Sequence, residues 1–147
     1  MKIRKIIQLL KNKYIAVHIR RTDHVGLAKS HNRFTCDQDF INFLNNHKDY
    51  NIFIATDCGE TQKKFKKIFN NRIKYMKIIN MDGTNKRKTS FEDTIIDMFV
   101  CGFSSKFKGS DYSSYSNIIQ LIYNENEKNN DSINKNQIFI KKCTNNI

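Results

Sequence analysis

Proline and tryptophan are missing from all 147 residues, and glycine occurs only five times. With lysine and asparagine abundant everywhere, this is the mark of A/T-rich codon bias, so most of the lysines are read as scattered solvated charge. Acidic residues are the scarcer sign, 14 against 26 Lys plus Arg, and the formal charge of +12 is compatible with an anionic partner. Of the four cysteines, no two stand as a Cys-x-x-Cys pair, which excludes a recognisable zinc site or disulfide framework; Cys58 and Cys101 are read as reduced thiols. The one apolar stretch at the N-terminus, Met1 to Leu10, is interrupted by Gln8, followed by Lys11, and has no small-residue cleavage site after it. It is read as a short amphipathic helix and not as a signal peptide or membrane anchor, with cytoplasmic location the default. No period of 20 to 50 residues recurs, which excludes a solenoid. No Gly-x-Gly-x-x-Gly turn and no Gly-rich loop ending in Gly-Lys-Ser/Thr is present, which removes support from nicotinamide dehydrogenases and ordinary nucleoside triphosphatases.

What is present is an alternation of strand and helix periods. Lys13 to Ile19 is an apolar, β-rich run, and Val25 to Arg33 reads as a polar loop with Gly26 as its breaker. Cys36 to Asn46 sets Phe40, Ile41, Phe43 and Leu44 on one helical stripe, with Asp37 where the helix dipole favours an acid. Tyr50 to Thr56 is a second strand, and Glu60 to Asn70 a helix with Phe65, Ile68 and Phe69 in register. Arg72 to Ile79 is a third strand, and Asn80 to Lys88 a solvated loop. Ser90 and Asp93 fit an acidic capping box ahead of an apolar helix that contains Asp97. Lys106 to Ser110 is a short strand, Asn117 to Tyr123 a helix, Glu125 to Asn136 a polar linker and Gln137 to Ile140 a last strand. The expectation is an α/β fold: a Rossmann-like three-layer domain with a mostly parallel sheet over residues 1–124, followed by a linker and a short strand or tail over 125–147.

The polar residues at the strand ends must then carry any binding. His18, Arg20, Arg21 and Asp23 follow the first strand directly, and open α/β sheets bind ligands beyond the carboxyl ends of their strands. A guanidinium keeps its charge at any working pH, and its planar fork can hold two phosphate oxygens. The arginine pair therefore reads as a diphosphate clamp. Its structural alternative is a salt-bridge network with Asp23 and Asp57.

His18-Ile-Arg-Arg-Thr-Asp23, Phe53-Ile-Ala-Thr-Asp57, Asp97 and Ser113-Ser-Tyr-Ser116 resemble, in order and spacing, the three donor-site motifs of the fucosyltransferase superfamily. The likeness is greatest to the α1,6 and nodulation type, whose first motif reads His-Val-Arg-Arg-Thr-Asp-Lys-Val-Gly, then to the protein O-fucosyltransferases and more distantly the α1,2 enzymes. It spans Tyr14 to Leu121. The resemblance implies the C-terminal, GDP-fucose-binding half of a GT-B glycosyltransferase, metal-independent, transferring fucose with inversion to a glycan or protein hydroxyl. It implies that Arg20 binds the β-phosphate and stabilises charge on the leaving GDP, with Arg21 and Asp23 supporting that region and Asp57 orienting donor or loop groups. His18 and Asp97 would contact the nucleoside, and Ser113, Ser114 and Ser116 the phosphate oxygens. Where the α1,6 enzymes carry a catalytic glutamate this chain has Ala28, which cannot take a proton. His24 stands in the place of the family's lysine and is the candidate base.

A second domain or partner chain would supply the acceptor site. Two other readings stand beside this one: a donor-binding or inactive fragment of such an enzyme, and a basic nucleic-acid-binding module. The last predicts cations gathered on one face and aromatics free to stack. Arginines at strand ends, and Tyr and Phe at apolar periodic positions, argue against it, so no nucleic-acid partner is expected.

Overall fold

The computed structural model describes residues 2–11, 13–23, 25–76, 78 and 90–144, with side-chain surroundings up to residue 131. The catalytic candidate His24, Lys77 and Ile79 of the expected third strand, and the loop expected over Asn80 to Lys88 lie outside the described residues.

The chain alternates α1 (Lys2–Leu9), β1 (Tyr14–Ile19), α2 (Val25–Ser30), α3 (Asp37–Asn45), β2 (Asn51–Thr56) and α4 (Gly59–Phe69). After a 3-10 turn come β3 (Ile73–Tyr75), α5 (Phe91–Gly102), β4 (Lys106–Gly109) and α6 (Ser114–Thr144). The four strands form one all-parallel sheet in the order β3-β2-β1-β4. β1 is central, and all six of its residues are buried because helices cover both of its faces.

The strand period of two sorts the core into two layers. Ile15, Val17, Ile19, Ile52 and Ile54 meet Phe40 and Leu44 of α3 and Phe65 and Phe69 of α4. Tyr14, Ala16, Phe53 and Ala55 meet Ile96, Val100 and Cys101 of α5, Ile119 of α6, and Leu10. This is the Rossmann-like three-layer arrangement expected from the sequence. Two glycines permit its closest approaches. A Cβ on Gly102 would run into the Ile122 side chain where α5 crosses α6, and one on Gly109 would come within 2.7 Å of Ser116 Cβ.

The structure corrects four local expectations. Val25 to Ser30 is helical, not loop, with Ala28 buried beneath it and Asn32 closing the segment at φ 54°. The third strand is three residues long because Gln62 of α4 takes over beyond it, donating from Nε2 to Met76 O (2.7 Å) and accepting from Ile78 N (3.4 Å). Ile68 is exposed, so Phe65 and Phe69 carry the α4 stripe without it. The expected linker (Glu125 to Asn136) and last strand (Gln137 to Ile140) are both part of α6. No glycine or proline follows Gly109, so nothing breaks that helix, and the i,i+3 pair Glu125–Lys128 (2.6 Å) lies along it.

Candidate functional site

β1 neighbours β2, which follows it in sequence, on one side and β4 on the other, so the direction of winding reverses at the seam between β1 and β4. The crevice beyond the carboxyl ends at such a reversal is where ligands of open α/β sheets bind. Here the seam is sealed by Ser110, whose N–H donates to His18 O (2.9 Å) while its Oγ accepts from Arg20 N (2.9 Å).

On the β2 side of the seam the cluster is built around Asp57. Its side chain is 2% exposed; Oδ1 accepts from Arg21 N (2.8 Å), and Oδ2 from Thr22 Oγ1 (2.7 Å) and Thr22 N (3.3 Å). Oδ2 also lies 3.2 Å from Arg20 Nε. A buried carboxylate thus fixes the turn after β1 and points the remaining edge of the Arg20 guanidinium outward. Of that edge, Nη2 meets Asp23 Oδ1 at 2.7 Å, and Asp23 is 73% exposed; Nη1 has no partner among the described residues.

Arg21 is engaged differently. Its Nη2 and Nε both donate to Asp37 Oδ1 (2.7 and 3.2 Å), Nη1 donates to Arg20 O (2.9 Å), and the guanidinium lies 5.0 Å from the Phe34 ring and 5.7 Å from Phe40. Lys64 takes the other oxygen of Asp37 at 2.6 Å. Burial pushes the Asp37 carboxyl up, but hydrogen bonds and charge from Lys64 and Arg21 outweigh it and hold the group below the usual carboxylate range. Asp37-Gln38-Asp39 is an Asp-x-Asp pair of which the sequence reading placed only Asp37, at the helix dipole, and the structure commits both acids locally. Asp39 Oδ2 accepts from Cys36 N (2.8 Å) at the start of α3. Among the described residues no group of three His, Cys, Asp or Glu is placed to hold a metal ion.

On the β4 side, His18 points to the α5–α6 face. Its Nδ1 lies 2.7 Å from Ser116 Oγ, and its ring is tilted against Tyr115 at 4.8 Å. Ser113 caps α6, its Oγ accepting from Ser116 N (3.3 Å). The hydroxyls of Ser113 and Ser116 are therefore engaged, whereas Ser114, at the first position of the helix, is exposed. Asp97 is buried on α5 one turn before Cys101, on the sheet face that His18 shares. Burial and the Asp97 charge both push the Cys101 thiol well up, so that thiol is inert packing.

The structure brings the sequence candidates into two clusters, Arg20–Arg21–Asp23–Asp57 and His18–Ser113–Ser116, joined through Ser110. Sequence reasoning gave no site role to Ser110, Thr22 or Asp37, reading the last only as an acid placed for the helix dipole. Ser110 could have been found by the logic that singled out Arg20, being the first polar residue after a strand. A groove of about 350 Å³ between Phe99, Phe103, Leu121 and Ile122 lies at the other end of the strands and contributes nothing to this site. No described helix is long and apolar enough to cross a membrane. No protein-family model matches the chain, and no curated protein matches it.

Proposed function

We propose that the crevice between β1 and β4 binds the diphosphate of a nucleotide sugar, GDP-fucose on the resemblance of its motifs, and serves fucosyl transfer to a glycan or protein hydroxyl. The observation that carries the reading is the presentation of Arg20: backed at Nε by a buried carboxylate and paired at Nη2 with the exposed Asp23, just beyond the carboxyl end of β1 at the winding reversal. Buried Asp57 supplies aim through Nε and leaves the two Nη groups as hydrogen-bond donors. Exposed Asp23 is a displaceable occupant of Nη2, standing where a phosphate oxygen would sit.

In the transfer an acceptor oxygen attacks the anomeric carbon from the face opposite the diphosphate. The bond from that carbon to the leaving oxygen breaks, and GDP departs with the electron pair. Arg20 meets the charge that develops there, which is where fixed cations accelerate a reaction. His18 and Asp97, on the α5–α6 face, are assigned to the nucleoside, and Ser114 and the first turn of α6 to phosphate oxygens. Arg21 acts as a positioning residue, since its guanidinium is already committed to Asp37. His24 keeps its assignment as base from sequence position alone, and Ala28, buried in α2, takes no part.

Calorimetric titration of the whole chain with GDP, GDP-fucose and single-stranded DNA tests this. GDP binding that is lost in Arg20→Ala and strengthened several-fold in Asp23→Asn is expected, the latter because it removes a competing anion. DNA binding without any heat from GDP would sink the proposal. If His24→Ala turned over at the wild-type rate while Arg20→Ala was inactive, the base would have to be sought elsewhere.

A further inference from the structure

A nucleotide sugar is a diphosphate with a ring at each end, and the two tyrosines that follow β4, Tyr112 and Tyr115, each pack on a histidine. On the α5–α6 face, His18 packs against Tyr115. On the α3 face, the connection from α2 to α3 brings His31 against Tyr112, rings stacked at 4.7 Å and 25°, with the Arg33 guanidinium 5.9 Å from the Tyr112 centroid. His31 and Arg33 are exposed, and Tyr112 is 37% exposed. Tyr112 stands two residues after Ser110 at the seam and two before Ser114 at the start of α6, on the loop that leaves the carboxyl end of β4. Asp111 N donates to Thr35 Oγ1 (2.9 Å), which ties the two loops together.

The backbone at Tyr112 adds a second line of argument. Four non-glycine residues have positive φ: Lys11, Asn32, Asn70 and Tyr112, the last at 59°. Asparagine tolerates this region; an aromatic residue is strained there by roughly 1–2 kcal/mol, and glycine not at all. Lys11 shares this φ, so the strain alone assigns no role; at Tyr112 it coincides with an aromatic pair on the loop that follows β4.

We propose that the Tyr112–His31 pair is the wall on which the pyranose ring of the nucleotide sugar rests, its apolar face against the aromatic surface and its hydroxyls within reach of His31 and Arg33. These residues would set which sugar is taken, while Arg20 holds any nucleoside diphosphate. The inference rests on the nucleotide-sugar reading of the crevice.

Calorimetry on the whole chain with GDP, GDP-fucose, GDP-mannose and free fucose tests it, comparing wild type with Tyr112→Gly and His31→Ala. Wild type should bind one of the two nucleotide sugars about tenfold more tightly than GDP, the scale of one good aromatic contact. Tyr112→Gly should hold GDP within about twofold, lose that tenfold advantage, and melt at the same temperature or higher, because glycine is at ease at φ 59°. His31→Ala, which leaves the backbone alone, should lose part of the same advantage; it decides the matter if Tyr112→Gly fails to fold. A retained sugar advantage in both variants overturns the inference and leaves the diphosphate site standing. So does a parallel loss of GDP and GDP-sugar affinity, which would assign the ring to the phosphate end. Free fucose binding that disappears in Tyr112→Gly without a change in GDP-fucose affinity would give the wall to an acceptor sugar and overturn it too. Wild type that binds no nucleotide removes the reading beneath it, and this inference with it.

Discussion

Arg20 and Arg21 are adjacent and chemically identical, yet the fold gives them opposite work. Arg20 is anchored at Nε by a buried carboxylate and at Nη2 meets only the exposed Asp23; Arg21 spends all three nitrogens on Asp37 and a backbone carbonyl and lies near two aromatic rings. Their shared preference for carboxylate and phosphate was legible in the sequence, but the division between them was not. What decides it is Asp37, which reads from sequence as an acid placed for the helix dipole and proves to be an ion-pair partner. Because the Asp37 carboxyl is held below its ordinary range, it contributes stability that is present above the unfolded value and is lost as pH falls through the folded one. Arg21→Ala should therefore cost about 1–2 kcal/mol at neutral pH, a part-buried pair lying between the exposed and buried limits. Urea unfolding should show the gap from wild type narrowing once pH drops below the carboxylate range. An equal gap at both pH values would assign the loss to packing on Phe34 and Phe40 instead.

Among the elements, the apolar strands and the amphipathic helices announced themselves through period and burial, and of the capping box read at Ser90 the serine half is formed, with Ser90 Oγ accepting from Asp93 N at 3.0 Å. The misread connections share one cause: polar composition was taken for irregular backbone. From Glu125 to Asn136 all residues but Ile133 are polar, yet none is a glycine or proline that would break a helix. The short third strand has a different origin, a side chain of α4 that substitutes for a strand partner, and no local pattern reveals that. The end of β4 shows how narrowly an element is placed. Gly109 lies beside His18 in the register and directly beneath Ser116, so Gly109→Ala should push the first turn of α6 away and break the His18–Ser116 contact. The expected loss is about 1–3 kcal/mol, as for overpacking elsewhere, together with weaker GDP binding. Unchanged melting and unchanged affinity would mean that α6 is not seated by that contact.

At the scale of the whole molecule, the strand order is what turns separate motifs into a site. His18 and Ser116 are 98 residues apart, Arg21 and Asp57 are 36 apart, and only the placement of β1 between β2 and β4 lets one turn collect both. The sequence supplied the residues; their meeting depends on long-range pairing, which no local period encodes. That pairing also implies an order of events in folding. β1 and β2 can associate early because a short crossover joins them, whereas β4 must return across some ninety residues to close the other edge. Pulse-labelled hydrogen exchange should find the β2-facing amides of β1 protected before the amides of β4. Simultaneous protection of both would contradict the sequence of steps.

Until β4 arrives, the most apolar strand of the protein stands with an open edge, the arrangement that natural sheets avoid because it recruits other chains. The strand that ends in Arg20 is thus the part of a newly made chain most exposed to misassembly, and the seam that completes the crevice also closes that window.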